Sequence, residues 1–274
     1  LPMFGLVLAF KNYKFNLGIF GSEWCGFKNF EFFLKSTNAP TVIRNTLVLN
    51  LLFIVTGTLT SLVLAILLNE LRSRVFVRTA QTMMLFPHYI SWVVVSYILL
   101  AIFSNKNGLA NQLLNALGMK SISWYTKADA WPTILVWMKI WKSAGMNAVI
   151  YLAAITGIDE SIYESATIDG ANRFQRIVSI TVPLIMPTVC IMTLLAVGKI
   201  MNGDFGMIYA LVGDQGILYE TTDVIDTYVY RVLRQTGDPS QSMAIGLFQS
   251  LIGLVMVVGS NWIVKHTFHE GALF

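Results

Sequence analysis

Three lysines stand in or beside runs that otherwise carry no charge: Lys139, Lys142 and Lys199. Asn147, Asn202 and His88 lie in or next to the same kind of run, and no Asp or Glu falls in the mid-span stretches. Ammonium and amide groups gathered in a cavity of low dielectric pair with carboxylates, so this set is a candidate for receiving an anionic, hydrogen-bonding solute. The plainer alternative is that Lys142 belongs to the scaffold and the other two reach out to the surface. Covalent and metal chemistry find little support. His88, His266 and His269 form no i, i+4 pair of the zinc-binding kind, and Cys25 in a loop with Cys190 in an apolar run makes neither a disulfide framework nor a metal site. Neither Gly-x-Ser-x-Gly nor the phosphate loop Gly-x-x-x-x-Gly-Lys-Ser/Thr occurs.

A second polar cluster interrupts the apolar runs between residues 159 and 180. Good helix formers fill 159–168, Gly170 suits the positive φ that ends a helix, and 171–180 can begin a second short helix at an angle to the first. Asp159, Glu160, Glu164 and Asp169 fall on the first arm, Arg173 and Arg176 on the second, and Ala166, Ile168, Phe174 and Ile177 can form an apolar ridge. A knob of this composition suits a groove on another protein; the alternative is an ordinary connection between two spans.

What positions these groups follows from composition. Hydrophobic residues make up 55% of the chain and charged residues 12%, with a mean hydropathy of +0.63, against about 25% charged in soluble domains. Uncharged runs cover Thr46–Leu68, Thr79–Ser104, Ser143–Ile158, Ile177–Gly198 and Pro239–Val264. Most exceed the roughly 20 residues that carry a helix across a bilayer. The fold class expected is therefore an all-α membrane protein: one transmembrane domain over residues 1–274, with the elbow at 159–180. The net charge of +4 and pI near 9.0 give no reason to invoke nucleic acid.

In chain order, Leu1–Phe10 would extend about 15 Å as a helix and is expected to be the outer half of a first span. The aromatic-rich stretch from Lys11 to Pro40 is expected to rest at headgroup level. Span two, from about Asn45 to Leu71, ends in a basic loop carrying Arg72, Arg74 and Arg78, which places that end in the cytoplasm. Basic residues are more numerous in the external loops, but those loops are long and weigh less in that rule. Span three, Thr79–Phe103, is expected to kink at Pro87, presenting His88, Tyr89, Ser91 and Trp92 either to a pathway or to a neighbouring helix. An external loop follows, with a short amphipathic helix over Leu109–Leu117. Span four, Trp131–Ile158, carries Lys139 and Lys142 roughly 12 and 16 Å from its outer end. Charge at that depth faces a protein interior or water. Span five is expected over Val182 to about Met201 with Pro183 in its first turn, a helix at 223–231 within a long external loop, and span six over Met243–His266. Alternation from the arginine loop puts the elbow in the cytoplasm.

The stretch Glu164-Ser165-Ala166, with Asp169-Gly170-Ala171 after it and Ile180 and Pro183 downstream, resembles the cytoplasmic loop of the permease subunits of bacterial binding-protein-dependent ABC importers. Ser165 in place of Ala is its single small departure. Trp141-Lys142-Ser143-Ala144-Gly145, Tyr151–Asp159, Asp223–Arg231 and Ala244–Ser250 are similar to the LplB-type, complex-carbohydrate branch of the maltose-permease-like family. The resemblance implies a type I importer permease fold of about six helices in the bacterial inner membrane. It implies two related permease subunits, two copies of an ATPase subunit that bind ATP and Mg, an extracytoplasmic solute-binding protein, and a saccharide passing between inward- and outward-facing states; this chain itself would hold no cofactor and would not be an enzyme. On matching residues, Glu164, Ala166, Asp169 and Gly170 take the ATPase-coupling role, with Tyr163 and Arg173 beside them. His88, Tyr89, Trp92, Lys139, Lys142, Asn147, Lys199 and Asn202 are the candidate substrate pathway. An ion-coupled secondary transporter would be expected to carry an intramembrane carboxylate and perhaps an internal repeat, and an intramembrane enzyme a nucleophile–base pair or metal set. Neither accounts for the elbow.

Overall fold

The computed structural model describes residues 5–267, and these are almost wholly helical. The chain opens on a 3-10 turn, Leu6–Phe10. A minimal hairpin follows, in which β1 (Lys11–Asn12) pairs antiparallel with β2 (Glu23–Trp24). Then come α1 (Lys28–Leu34), α2 (Ala39–Glu70), α3 (Arg74–Tyr89), α4 (Trp92–Phe103), α5 (Leu109–Ala116) and α6 (Trp131–Thr156). They are followed by α7 (Glu160–Ile168), α8 (Arg173–Val197), α9 (Phe205–Val212), α10 (Ile225–Thr236) and α11 (Pro239–Thr267). Of the first span expected from sequence, Leu6–Phe10 forms only the 3-10 turn, and residues 1–4 lie outside the described residues.

Helices α2, α8 and α11 are each long and apolar enough to cross a membrane, and α3 with α4 passes the same test as an interrupted pair, the form of a broken span or a re-entrant loop. α6, with 26 residues, reaches about 39 Å at helical rise. In the apolar windows of α2, α8 and α11 only 22%, 17% and 22% of residues are buried. Side chains such as Leu51, Val55, Leu59 and Val63 of α2 are left outward. In water so much apolar surface would be driven to associate; in a bilayer it meets hydrocarbon at no cost, while each helix satisfies its own backbone.

Span three departs from expectation in one respect. The helix does not merely kink at Pro87: it stops at Tyr89, Ile90 is extended, and α4 starts afresh at Trp92. Span five also begins earlier than expected. Pro183 does stand in the first turn of the α-helical segment Val182–Val197, but Arg173–Arg176 and a π-helical turn at Ile177–Thr181 run directly into it. The second arm of the elbow is therefore the start of the span.

The chain packs as two compact units. The first comprises residues up to 50, 92–135 and 199–255. Its irregular segments are held by polar side chains on the first turns of α2: Asn45 Nδ2 donates to the carbonyls of Glu220 (3.0 Å) and Asp223 (3.2 Å), and Asn50 Nδ2 to those of Ile200 (2.9 Å) and Asn202 (3.2 Å). Thr46 Oγ1 accepts from the Ile225 amide at 3.0 Å, at the start of α10. Backbone groups of these irregular segments thus find partners in side chains of α2. Asp223, itself buried, accepts from Thr227 Oγ1 (2.8 Å) and is ion-paired with Arg231. The helix expected at 223–231 is α10, displaced to 225–236 and ended by Gly237 at φ +67. α9 was not anticipated; it buries Met207, Ile208, Leu211 and Val212 and packs on α4.

The second unit comprises residues 51–91, 136–198 and from 256 onward. Its core joins Ala65 and Leu68 of α2 to Ala148, Tyr151, Leu152 and Ile155 of α6 and Ile185 of α8. Alanines at the contact let helices approach closely enough for van der Waals attraction to hold them without a hydrophobic drive.

Candidate functional site

Within the second unit, α7 and the start of α8 form the elbow, and every turn of it is tied by a cap. Asp159 starts α7: its side chain accepts from the Ser161 amide at 2.9 Å, and that hydrogen bond holds the Asp159 carboxyl below the usual range. At the other end the Ala171 amide donates to the Ala166 carbonyl (2.9 Å) and the Gly170 amide to that of Thr167 (3.1 Å), with Gly170 at φ +83. This is the paired 6→1 and 5→2 closure that a left-handed residue permits. Asn172 then opens α8 through a reciprocal capping box with Gln175, at 2.9 and 2.8 Å. Two side-chain bonds join the arms: Arg176 Nη1 to Thr167 Oγ1 (2.9 Å) and Tyr163 Oη with Thr181 Oγ1 (2.9 Å).

Facing outward from this frame are Glu164, Asp169 and Arg173, all exposed, with Ile168 and Phe174 at 86% and 73% exposure. A bulky apolar pair on a capped, cross-linked knob, flanked by charges of both signs, is a surface shaped for a partner. Behind the knob lies an open cleft of about 420 Å³ lined by Asn69, Glu70, Glu160, Tyr163 and Arg176 among others. A Cβ on Gly170 would meet nothing within 4 Å, so Gly170→Ala pays backbone strain alone, about 1 kcal/mol. The expected outcome is amide exchange at Ala171 faster by about fivefold, measured by hydrogen–deuterium exchange, with helices α6 and α8 unaltered.

The candidate pathway residues fall in different surroundings. His88 and Tyr89 end α3 with their rings 5.6 Å apart, both exposed. Lys139 lies half-buried on α6 with its ammonium 5.9 Å from the Phe53 ring. Asn147 is half-buried about two turns further along α6. Trp92, Lys199 and Asn202 belong to the first unit, where the Asn202 carbonyl accepts from Asn50.

Lys142 has a defined task. Its ammonium donates to the carbonyls of Pro87 (3.2 Å), His88 (2.8 Å) and Ile90. These carbonyls lie where α3 stops, the Pro87 carbonyl also accepting from the Ile90 amide at 3.3 Å, and a cation at a helix C-terminus complements the dipole. Gly145, one turn on, lets α6 lie against the Met84 backbone, since a Cβ there would overlap the Met84 carbonyl. The segment Trp141–Gly145 is thus the clamp on the broken span. The Asn172/Gln175 capping box was legible as Asn-x-x-Gln; the grip of Lys142 on 87–90 had no local signal.

A short cytoplasmic-type elbow, a broken span and long outward-facing apolar helices define a membrane transport subunit. Residues 57–268 match the family described as "Binding-protein-dependent transport system inner membrane component", and the chain belongs to it. Protein LplB of Bacillus subtilis is 36% identical over 99% of this chain and 85% of its own. The polygalacturonan/rhamnogalacturonan transport system permease protein YteP of the same organism is 34% identical over 99% and 84%. A crystal structure of a bacterial ABC transporter involved in the import of the acidic polysaccharide alginate superposes with a TM-score of 0.89 at 34% identity, covering 97% of this chain and 89% of that one. The chain is thus a multi-pass permease of a bacterial ABC importer, with the all-α type I permease fold, located in the inner membrane.

Proposed function

We propose that this permease imports acidic oligosaccharides or polysaccharide fragments, of the uronate class that includes alginate and pectin fragments. The observation that carries the reading is the 34% identity along nearly the whole chain to a permease named for polygalacturonan and to one of an alginate importer. Lys142 is committed to the end of α3, so Lys139 and Lys199 are the charges assigned to the substrate, with His88, Tyr89, Trp92, Asn147 and Asn202 as the other candidate contacts. The working assembly contains a second, related permease, two ATPase subunits that hold ATP and Mg, and an extracytoplasmic binding protein that delivers the saccharide. This chain contributes no nucleotide site and no cofactor of its own. Residues 1–274 act as one permease domain.

In this reading the elbow seats in a cleft of the ATPase. Ile168 and Phe174 supply the apolar contact, Glu164, Asp169 and Arg173 pair across the rim, and Tyr163, Ala166 and Gly170 keep the elbow's shape. The test reconstitutes the complete transporter and compares a uronate oligosaccharide with its methyl-esterified, neutral counterpart. Lys139→Ala or Lys199→Ala is expected to weaken apparent affinity for the anionic sugar by about fivefold, as one partly solvated ion pair would, and to leave the ester nearly untouched. Equal loss for both sugars would remove the charge argument. For the elbow, Glu164→Ala is expected to reduce retention of the ATPase on purification, and wild-type retention and uptake would refute that assignment.

A further inference from the structure

We infer that Tyr163, Thr181 and the π-helical turn between the elbow and span five form a rigid joint, so that α7 and α8 move as one body when the elbow is displaced. This rests on the assignment of the elbow as the ATPase contact and adds the residues that carry its motion into the membrane.

The geometry is specific. Tyr163 and Thr167, four apart on α7, share a face. Their partners across the joint are Thr181 and Arg176, which are five apart on α8. In an α-helix residues five apart diverge by about 140° around the axis, so one helix could not turn both toward α7. The turn at Ile177–Thr181 is π-helical, closing i to i+5, and this brings residues 176 and 181 onto a common side. Its cause is in the sequence. Pro183 lies inside the continuous helix, cannot donate to the Ser179 carbonyl, and its ring crowds that carbonyl; widening the preceding turn relieves both.

Thr181 is buried, and its hydroxyl also lies 3.5 Å from the Arg176 carbonyl. It sits deep in the wall of the cleft behind the knob and away from the elbow's outward face, so its role is positioning. Thr167 Oγ1 in turn donates to the Tyr163 carbonyl at 2.7 Å, tying the two cross-links to each other. With two bonds at separate points, rotation of α7 about either one is blocked. A single bond would leave a hinge.

The test uses the whole transporter in proteoliposomes and reads sugar imported per ATP hydrolysed. Thr181→Val removes the hydroxyl at nearly constant volume, and Thr181→Ser restores it. The expected result is a fall of about fivefold in sugar per ATP for Thr181→Val, recovery for Thr181→Ser, and for Tyr163→Phe with Thr181→Val no further loss than either change alone. ATPase subunits are expected to co-purify with Thr181→Val, because the outward face of the elbow is untouched. Wild-type sugar per ATP in Thr181→Val, while Glu164→Ala still sheds the ATPase, would overturn the joint and leave the elbow assignment standing. If Glu164→Ala also keeps its ATPase and its uptake, the elbow assignment itself fails. Loss in Thr181→Val and Thr181→Ser alike would mean that packing, not the hydroxyl bond, matters, and would likewise overturn the inference.

Discussion

Arg231→Met is expected to destabilise the protein by about 3–5 kcal/mol, the cost of leaving a buried charge without its partner. Asp223 is 5% exposed and paired with Arg231, whose guanidinium also lies 4.1 Å from the Tyr219 ring. The Thr227 hydroxyl remains in the variant, but one neutral donor does not replace a guanidinium. The effect extends beyond one helix, because the Asp223 carbonyl is one of the groups held by Asn45 of α2. Thermal unfolding of the purified protein should show a midpoint lower by about 10 °C. Adding Asp223→Asn to Arg231→Met should recover part of the loss, since it removes the orphaned charge. If the double variant were less stable than the single one by a full additive increment, the two residues would not act as a pair.

Lys142→Met is expected to cost about 2–4 kcal/mol, because it removes the charged donor shared by the carbonyls of Pro87, His88 and Ile90 where α3 ends. The methylenes survive the change, so packing is nearly conserved and the loss isolates the ammonium. Stability should fall without any substrate present, and uptake should fall equally for uronate and neutral sugars. A loss confined to uronate sugars, with wild-type stability, would return Lys142 to the substrate pathway. Lys142→Arg should recover only in part, since a planar fork cannot reach three carbonyls as a compact ammonium does. Gly145→Val should resemble Lys142→Met, since the added side chain meets the Met84 backbone where α6 and α3 touch.

The elbow was legible because its determinants are local. Asp159, Gly170 and the Asn172–Gln175 pair each act within four residues, and the structure places a cap at each. α5 was legible for the same reason: its apolar and polar residues alternate at helical spacing, and it appears at Leu109–Ala116. The break in span three was misplaced because Pro87 was the visible signal. Proline disturbs the turn that precedes it, toward Met83, whereas the chain leaves the helix after Tyr89. What permits that exit is a lysine more than fifty residues away. α9 was missed because an eight-residue apolar run between Asp204 and Gly213 has no periodicity that separates it from a loop.

Residue order alone determined that this chain lives in a membrane, where most of its spans fall, and that a capped polar elbow divides them. Each of those follows from hydrophobic length or from bonds closed within one turn. Only the folded chain decided that Lys142 ends α3, that Arg231 answers Asp223, and that α2 holds the loops near 200 and 220. Apart from the ion pair, these bonds join groups 52–178 residues apart. A polar side chain in an apolar setting must find a partner, but which partner is set by the packing that brings the two within 3 Å.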